Sequence, residues 1–362
     1  MRRILPYLIL AFISIFSTLI IWKAVGMNVI YKNNDGALYI IPAKTLYDFK
    51  KVNQLPIEIP LSPNYFTAHL PLYPLMIRVF GDLIGGNLKY LKSMVLVNLF
   101  FSVFLVWVFY FLLKKFKITS KPLLLSIIFL FLPRFLVVRS VGAPESLFMF
   151  LILLSLYFFE NKKYFLAGVF GGLSVATKTP GILLFGAYCL VFIEKIIKDK
   201  KIDWRWLEVI LIPFGLLTVF GFYYLQTGDF FSYFKSGDNI HLVYPFSVFD
   251  FKKTWIGTAW LEEIIFYYFL YGLTVYYLKE SKYRSFFYFS LVFFTAILFV
   301  QHRDISRYSL PLWPMAIIAF EKFFTSKKFI VIFLIVLVGI FLYAINFTSY
   351  NLLPISDWKA FL

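Results

Sequence analysis

SMVLVNLFFSVFLVWVFYFLLKKFK, residues 93–117, carries the pattern on which the fold turns. No charged side chain occurs from Ser93 to Leu113, and the run then stops on Lys114-Lys115-Phe116-Lys117. Taken from Lys89, the segment 89–113 is long enough for a helix across a hydrocarbon core, which requires about 20 apolar residues. Similar apolar runs recur at 4–25, 122–138, 144–159, 164–176, 182–194, 207–226, 259–278, 285–300, 308–321 and 329–346. The expected fold is therefore all-α: a polytopic transmembrane helix bundle of about ten or eleven spans, organised as one membrane domain over residues 1–362. The runs 164–176 and 182–194 are short and are split by Thr177-Lys178-Thr179-Pro180-Gly181, which suits either two short helices or one broken hairpin.

Composition agrees. Charged residues make up 15% of the chain against about 25% in soluble domains, so no stretch is polar enough to build a separate soluble unit. The 47 Phe and 25 Tyr suit lipid-facing and interfacial surfaces. A formal net charge of +17 would also suit nucleic acid, but the basic residues sit in short clusters between apolar runs, as the positive-inside rule requires. Membrane lipids, and not nucleic acid, are the expected surroundings. Cys189 is the only cysteine, so no intrachain disulfide can form. Met1-Arg2-Arg3 precedes the first run with no small-residue cleavage site after it, and 4–25 reads as a retained span.

With the N-terminus cytoplasmic, the basic segments 114–121, 160–163, 195–205, 279–284 and 322–328 fall inside. Segments 26–88, 139–143, 177–181, 227–258, 302–307 and the tail from 347 then lie outside. The membrane is the plasma membrane in a prokaryote or the endoplasmic reticulum in a eukaryote. The first outer loop, 26–88, holds six prolines and cannot contain a continuous span; 37–51 and 72–84 read as short helices lying at the interface. The second long outer loop, 227–258, mixes Gly, Asp, His and aromatics.

Chemistry-bearing residues gather on these outer segments. Asp35, in Asn33-Asn34-Asp35-Gly36-Ala37-Leu38-Tyr39, is placed to accept a proton from a hydroxyl, the alternative being a solvated loop carboxylate. His69 precedes Leu70-Pro71-Leu72-Tyr73-Pro74-Leu75 and Arg78; binding of a phosphate or diol and a structural role are both open to it. Arg139-Ser140-Val141-Gly142-Ala143-Pro144-Glu145 places Glu145 in a first helical turn, where it either caps the helix or serves the site. Lys178, His302, Arg303 and Arg307 form an outer set of cations; Arg303 and Arg307, four apart, would share a helix face and could clamp a phosphate. Tyr39, His69, Glu145 and Arg139 are the candidate substrate-binding residues. His69, His241 and His302 are too dispersed for a zinc motif, and there is no Walker A loop or dinucleotide glycine pattern.

Taken in order over residues 30–315, these segments resemble the C-type (GT-C) superfamily of membrane-embedded, lipid-donor glycosyltransferases. Asp35-Gly36-Ala37-Leu38-Tyr39 with Leu46-Tyr47 is similar to that superfamily's first outer loop. Leu70-Pro71-Leu72-Tyr73-Pro74-Leu75 with Arg78 resembles the branch of the GPI-anchor second mannosyltransferase and its prokaryotic relatives. Pro144-Glu145-Ser146-Leu147, Ala176-Thr177-Lys178-Thr179-Pro180-Gly181 and Arg307-Tyr308 with Leu310-Pro311-Leu312-Trp313-Pro314 are similar to its central and late segments.

The resemblance implies inverting transfer of a hexose, mannose above others, from a polyprenyl- or dolichyl-phosphate-linked sugar to a hydroxyl on a glycan, lipid or protein acceptor. It makes Asp35 the catalytic base and Arg303, Arg307, Lys178 and His302 the donor phosphate-binding groups. A divalent metal is compatible with the superfamily but supported by no motif here; Asp48 and Glu58 are the only other first-loop acids before Asp82. Two other classes fit the same outer charges: an oligosaccharide ligase or polymerase acting on lipid diphosphates, and a lipid-linked sugar transporter or flippase, which would need ionisable residues or broken helices near mid-bilayer.

Overall fold

A computed structural model describes all residues except 1–2, 58–60, 87, 240–241 and 260, and the side chain of residue 34. Glu58 and His241 thus lie outside the described residues. Among the described residues there is no sheet, only isolated bridges between Asn33 and Leu352 and between Leu242 and Val300. The principal helices are α1 (Leu5–Val25), α2 (Leu72–Ile84), α3 (Lys89–Lys115), α4 (Pro122–Phe129), α5 (Pro133–Arg139), α6 (Glu145–Glu160) and α7 (Tyr164–Thr177). They are followed by α8 (Leu183–Asp199), α9 (Leu211–Thr227), α10 (Glu262–Leu278), α11 (Arg284–Leu298), α12 (Trp313–Ala319) and α13 (Lys327–Tyr350). Each apolar run noted in the sequence contains one or more helices among the described residues.

Fewer of these helices than the expected ten or eleven spans reach full membrane length. Among the described residues, five helices are long and apolar enough to cross a membrane, or six if the bent pair α4–α5 is one span. The others are shorter because proline, glycine or charge interrupts them. A 16-residue helix such as α6 rises only about 24 Å, less than the core of a bilayer. The segments around 164–194 form two helices joined by a 3-10 turn, Thr179–Ile182.

The bend of 72° between α4 and α5 has a clear origin. Pro133 supplies no N–H and forces Leu132 into an extended conformation, which frees carbonyls at the end of α4. In an apolar setting those carbonyls need other donors. The Trp313 indole donates to the Phe129 carbonyl at 3.0 Å, and Arg139 Nε donates to the Leu130 carbonyl at 3.3 Å.

α3 is the central pillar, packed on α1, α2 and α6, whereas α13 is peripheral and exposes Val331, Leu334, Ile335 and Val338. Such an apolar flank is compatible with lipid and not with water. α7 and α9 meet backbone to backbone: a Cβ added at Gly215 would lie 2.7 Å from the Gly172 Cα, so only glycine permits this crossing.

Loops segregate into two sets. The basic loops touch one another: Tyr283 Oη donates to the Phe116 carbonyl at 2.8 Å, Lys121 Nζ to the Thr325 carbonyl at 3.0 Å, and Arg284 Nε to Glu194 at 2.8 Å. The first long loop instead meets the C-terminal tail, with Asn33 Nδ2 donating to the Thr348 carbonyl at 2.9 Å and Lys44 Nζ to the Leu362 carbonyl at 2.7 Å. The second long loop joins residues 298–300 through the Val243 N–H, 3.0 Å from the Phe299 carbonyl. The helix expected at 72–84 is α2, and 37–51 breaks into a 3-10 stretch (Asn34–Tyr39) and two short helices.

Candidate active site

Asp35 sits in the 3-10 stretch that follows α1, and its neighbour Gly36 explains the placement. A Cβ at Gly36 would come 2.8 Å from the Gly142 carbonyl oxygen, so glycine lets the stretch lie directly on the segment preceding α6. That contact carries Asp35 toward Glu145, the first residue of α6.

Four of the sequence candidates converge there. Glu145 is buried, and its Oε1 accepts from Lys178 Nζ at 2.9 Å and from Arg307 Nε at 2.7 Å. Arg307 Nη1 lies 3.9 Å from Asp35 Oδ2. A buried carboxylate between two cations is stabilised in its ionised form and fixes both side chains in place. Glu145 Oε2 makes no hydrogen bond. Asp35, with 39% of its side chain exposed, is the open member of the group. Lys178 Nζ also lies over the Tyr308 ring, 5.5 Å from its centre.

The other candidates have different surroundings. Tyr39 packs edge-on against His69 at 4.5 Å and Tyr73 at 5.0 Å, and His69 also meets Tyr65. Burial, outweighing the nearby Asp35 charge, holds the His69 imidazole down at about 4. It is neutral at physiological pH and cannot supply a cation to a phosphate. His302 Nδ1 accepts the Asp304 backbone N–H at 2.9 Å, which leaves Nε2–H as its donor; burial lowers its pKa as well.

Arg303 and Arg307 do not share a helix face. The helical turn begins only at Ile305, after Asp304, so Arg303 lies in the preceding loop with its side chain exposed. Arg139 does not join the cluster either. It is fully buried and donates to the Ser14 carbonyl at 2.9 Å, Thr18 Oγ1 at 2.8 Å and Ser17 Oγ at 2.7 Å, in addition to Leu130. The freed carbonyls at the α4–α5 bend and the polar face of α1 claim all of its reach.

Three residues escaped the sequence reading. Arg134, within the apolar run at 122–138, pairs with Asp304, and its guanidinium lies over the Phe347 ring at 4.2 Å. Burial pushes the Asp304 carboxyl up, but Arg134 and Arg307 outweigh it and hold the group below its ordinary value. Asp238, from the second long loop, hydrogen-bonds Tyr65; burial first and the Asp35 charge second raise its pKa. The usable signal for Arg134 was a guanidinium inside an apolar run, which is costly unless partnered. Among the described residues no three metal-ligating side chains converge.

The depressed His69 pKa has a measurable consequence. An unfolded imidazole takes up its proton below about pH 6.5, whereas the folded one does so only near 4, so protons favour the unfolded chain in that window. Between pH 8 and pH 5 the protein should lose about 2 kcal/mol more stability than its His69→Gln variant. Denaturation in detergent at both pH values would show this, and equal losses in the two proteins would refute it.

The helical framework is similar to that of several solved structures. ArnT from Cupriavidus metallidurans, solved bound to undecaprenyl phosphate, matches 89% of this chain with a TM-score of 0.60 at 13% identity, and 62% of ArnT is covered. The Archaeoglobus fulgidus oligosaccharyltransferase in its apo form matches 96% of this chain with a TM-score of 0.58 at 14% identity, and 56% of that protein is covered. The same enzyme tethered to an acceptor peptide with an NVT sequon gives a TM-score of 0.52 at 13% identity, again over 96% of this chain and 56% of its own. At such identities the likeness is one of fold. The chain spans just over half to about three-fifths of these proteins' lengths. No known family and no curated protein matches its sequence.

Proposed function

We propose that the chain is an integral membrane glycosyltransferase. It transfers a hexose, mannose by its resemblance to the mannosyltransferase branch, from a polyprenyl-phosphate-linked donor to an acceptor hydroxyl, with inversion. The N-terminus is cytoplasmic and the site extracytoplasmic, in keeping with the basic composition of the opposite loops. The observation that carries the reading is the 3.9 Å approach of Asp35 to Arg307, an exposed carboxylate beside a guanidinium that Glu145 anchors.

In the reaction Asp35 takes the proton of the acceptor hydroxyl as its oxygen attacks the anomeric carbon. The bond from that carbon to the phosphate oxygen breaks, and the electron pair leaves with the polyprenyl phosphate. Arg307 and Lys178 stabilise the charge that grows on the departing phosphate. Glu145 is a positioning residue: it holds both cations and touches neither reactant. The fold supports this reading because its solved counterparts include a protein bound to undecaprenyl phosphate.

The test is transfer by the purified protein from polyprenyl-phosphate hexoses and from lipid-diphosphate sugars, with the product anomer read by NMR. The expected result is an inverted product from the monophosphate donor. Use of diphosphate donors alone would favour a ligase, and movement of lipid-linked sugar without product would favour a flippase.

A further inference from the structure

Between the end of α8 and the 3-10 stretch Trp204–Ile210 the surface opens into a groove of about 680 Å³, lined by Asp199, Lys201, Ile202, Asp203, Trp204 and Trp206. Small-molecule sites span about 300–1,000 Å³. The helical stretches on either side, Thr179–Asp199 and Trp204–Thr227, are both long and apolar enough to cross a membrane, so residues 200–203 sit at the level of the lipid headgroups. The first stretch begins beside Lys178, which puts the groove across the bilayer from the Glu145 cluster, roughly 30 Å away along the helix. α8 packs chiefly on α11 and α9 on α7, so little protein fills the space between the near ends of α8 and α9.

α8 ends where Lys200 adopts a left-handed conformation, φ 52°, with Asp199 and Lys201 on either side of this turn. Both side chains are exposed, and neither has an ion-pair or hydrogen-bond partner among the described residues. Asp203, by contrast, is answered by Arg205, whose Nε and Nη2 donate to it at 3.0 and 2.7 Å. Trp206 lies parallel to Phe192 at 4.6 Å and forms a fixed wall. Trp204 is 77% exposed at the start of its span, where indoles sit among headgroups.

We propose that this groove binds one phosphatidylethanolamine, whose ammonium donates to Asp199 against the Trp204 ring and whose phosphate takes Lys201. The occupant follows from the charges. An anionic headgroup would satisfy Lys201 but be repelled by Asp199, and a choline headgroup has no N–H to give a carboxylate. A primary ammonium joined to a phosphate answers both side chains, and the indole adds cation–π attraction. Ile197, Leu207 and Ile210, exposed on the flanking stretches, offer the acyl chains an apolar path. The proposal requires the membrane setting alone and is independent of glycosyl transfer.

The experiment titrates dioleoyl phosphatidylethanolamine, phosphatidylcholine or phosphatidylglycerol into detergent micelles of the full-length protein and follows the thermal midpoint, with no sugar donor present. Phosphatidylethanolamine should raise the midpoint to a plateau. The mole fraction at half-saturation should climb in steps through the N-methyl and N,N-dimethyl lipids, because each methyl removes one N–H. Asp199→Asn and Lys201→Gln should each raise that fraction by about tenfold or more, the effect of losing one charge-assisted hydrogen bond. Both side chains are exposed and unpartnered, so the lipid-free midpoint of each variant should match that of the native protein. The methylation series needs no variant and tests the ammonium contact even if one fails to fold. Equal saturation by phosphatidylcholine, a stronger effect of phosphatidylglycerol, or a phosphatidylethanolamine shift indifferent to both substitutions overturns the proposal. Nothing is turned over in these titrations, so their outcome is separate from that of the transfer assay above.

Discussion

Asp35→Asn should abolish sugar transfer for practical purposes, lowering kcat by roughly two to four powers of ten, the range for loss of a general base. The amide is nearly the same size as the carboxylate and cannot take a proton. Asp35 is the most exposed member of its cluster and only 3.9 Å from one cation, so the variant should fold and bind donor within a few-fold of the native protein. Single-turnover transfer from a polyprenyl-phosphate hexose, with donor binding measured separately, makes the comparison. Undiminished kcat in Asp35→Asn would remove the base from the proposed mechanism, whatever the fold.

Glu145→Gln should act through stability as well as rate. The carboxylate is 3% exposed and holds Lys178 at 2.9 Å and Arg307 at 2.7 Å. Its neutralisation leaves two buried cations facing each other, with only the more remote Asp35 and Asp304 as counter-charges. Removal of a partner from a buried ion pair costs about 3–5 kcal/mol. The expected outcome is a large drop in the thermal midpoint in detergent. Glu145→Gln/Lys178→Met, which removes one charge of each sign, should recover part of it. A midpoint unchanged in the single variant would show that Glu145 does not organise the cations.

The membrane character was legible in the spacing of apolar runs, as 93–113 illustrates: a side-chain sequence without charge over that length has few stable homes outside a bilayer. Span length was less legible, because a proline such as Pro133 ends a helix without ending an apolar run. Asp35, Glu145, Lys178 and Arg307 were identifiable as ionisable residues on segments expected to lie outside. Arg139 belonged to the same set by that criterion, yet its destination was set by carbonyls that a bend in the chain set free. Arg303 failed for a local reason, since the loop before Ile305 removes the helical periodicity on which its pairing with Arg307 depended. Arg134 and Asp238 were hidden because their partners, Asp304 and Tyr65, are remote in sequence.

What the linear order of residues determined by itself was the solvent: apolar runs of membrane length and basic clusters between them dictate a helical bundle in lipid, through short-range hydrophobic and electrostatic terms. Which charges meet was decided only by tertiary structure. The approach of Gly36 to Gly142 and the seating of Arg307 on Glu145 join segments far apart in the chain. Burial gives such contacts their strength, and burial is a property of the packed bundle rather than of any one segment.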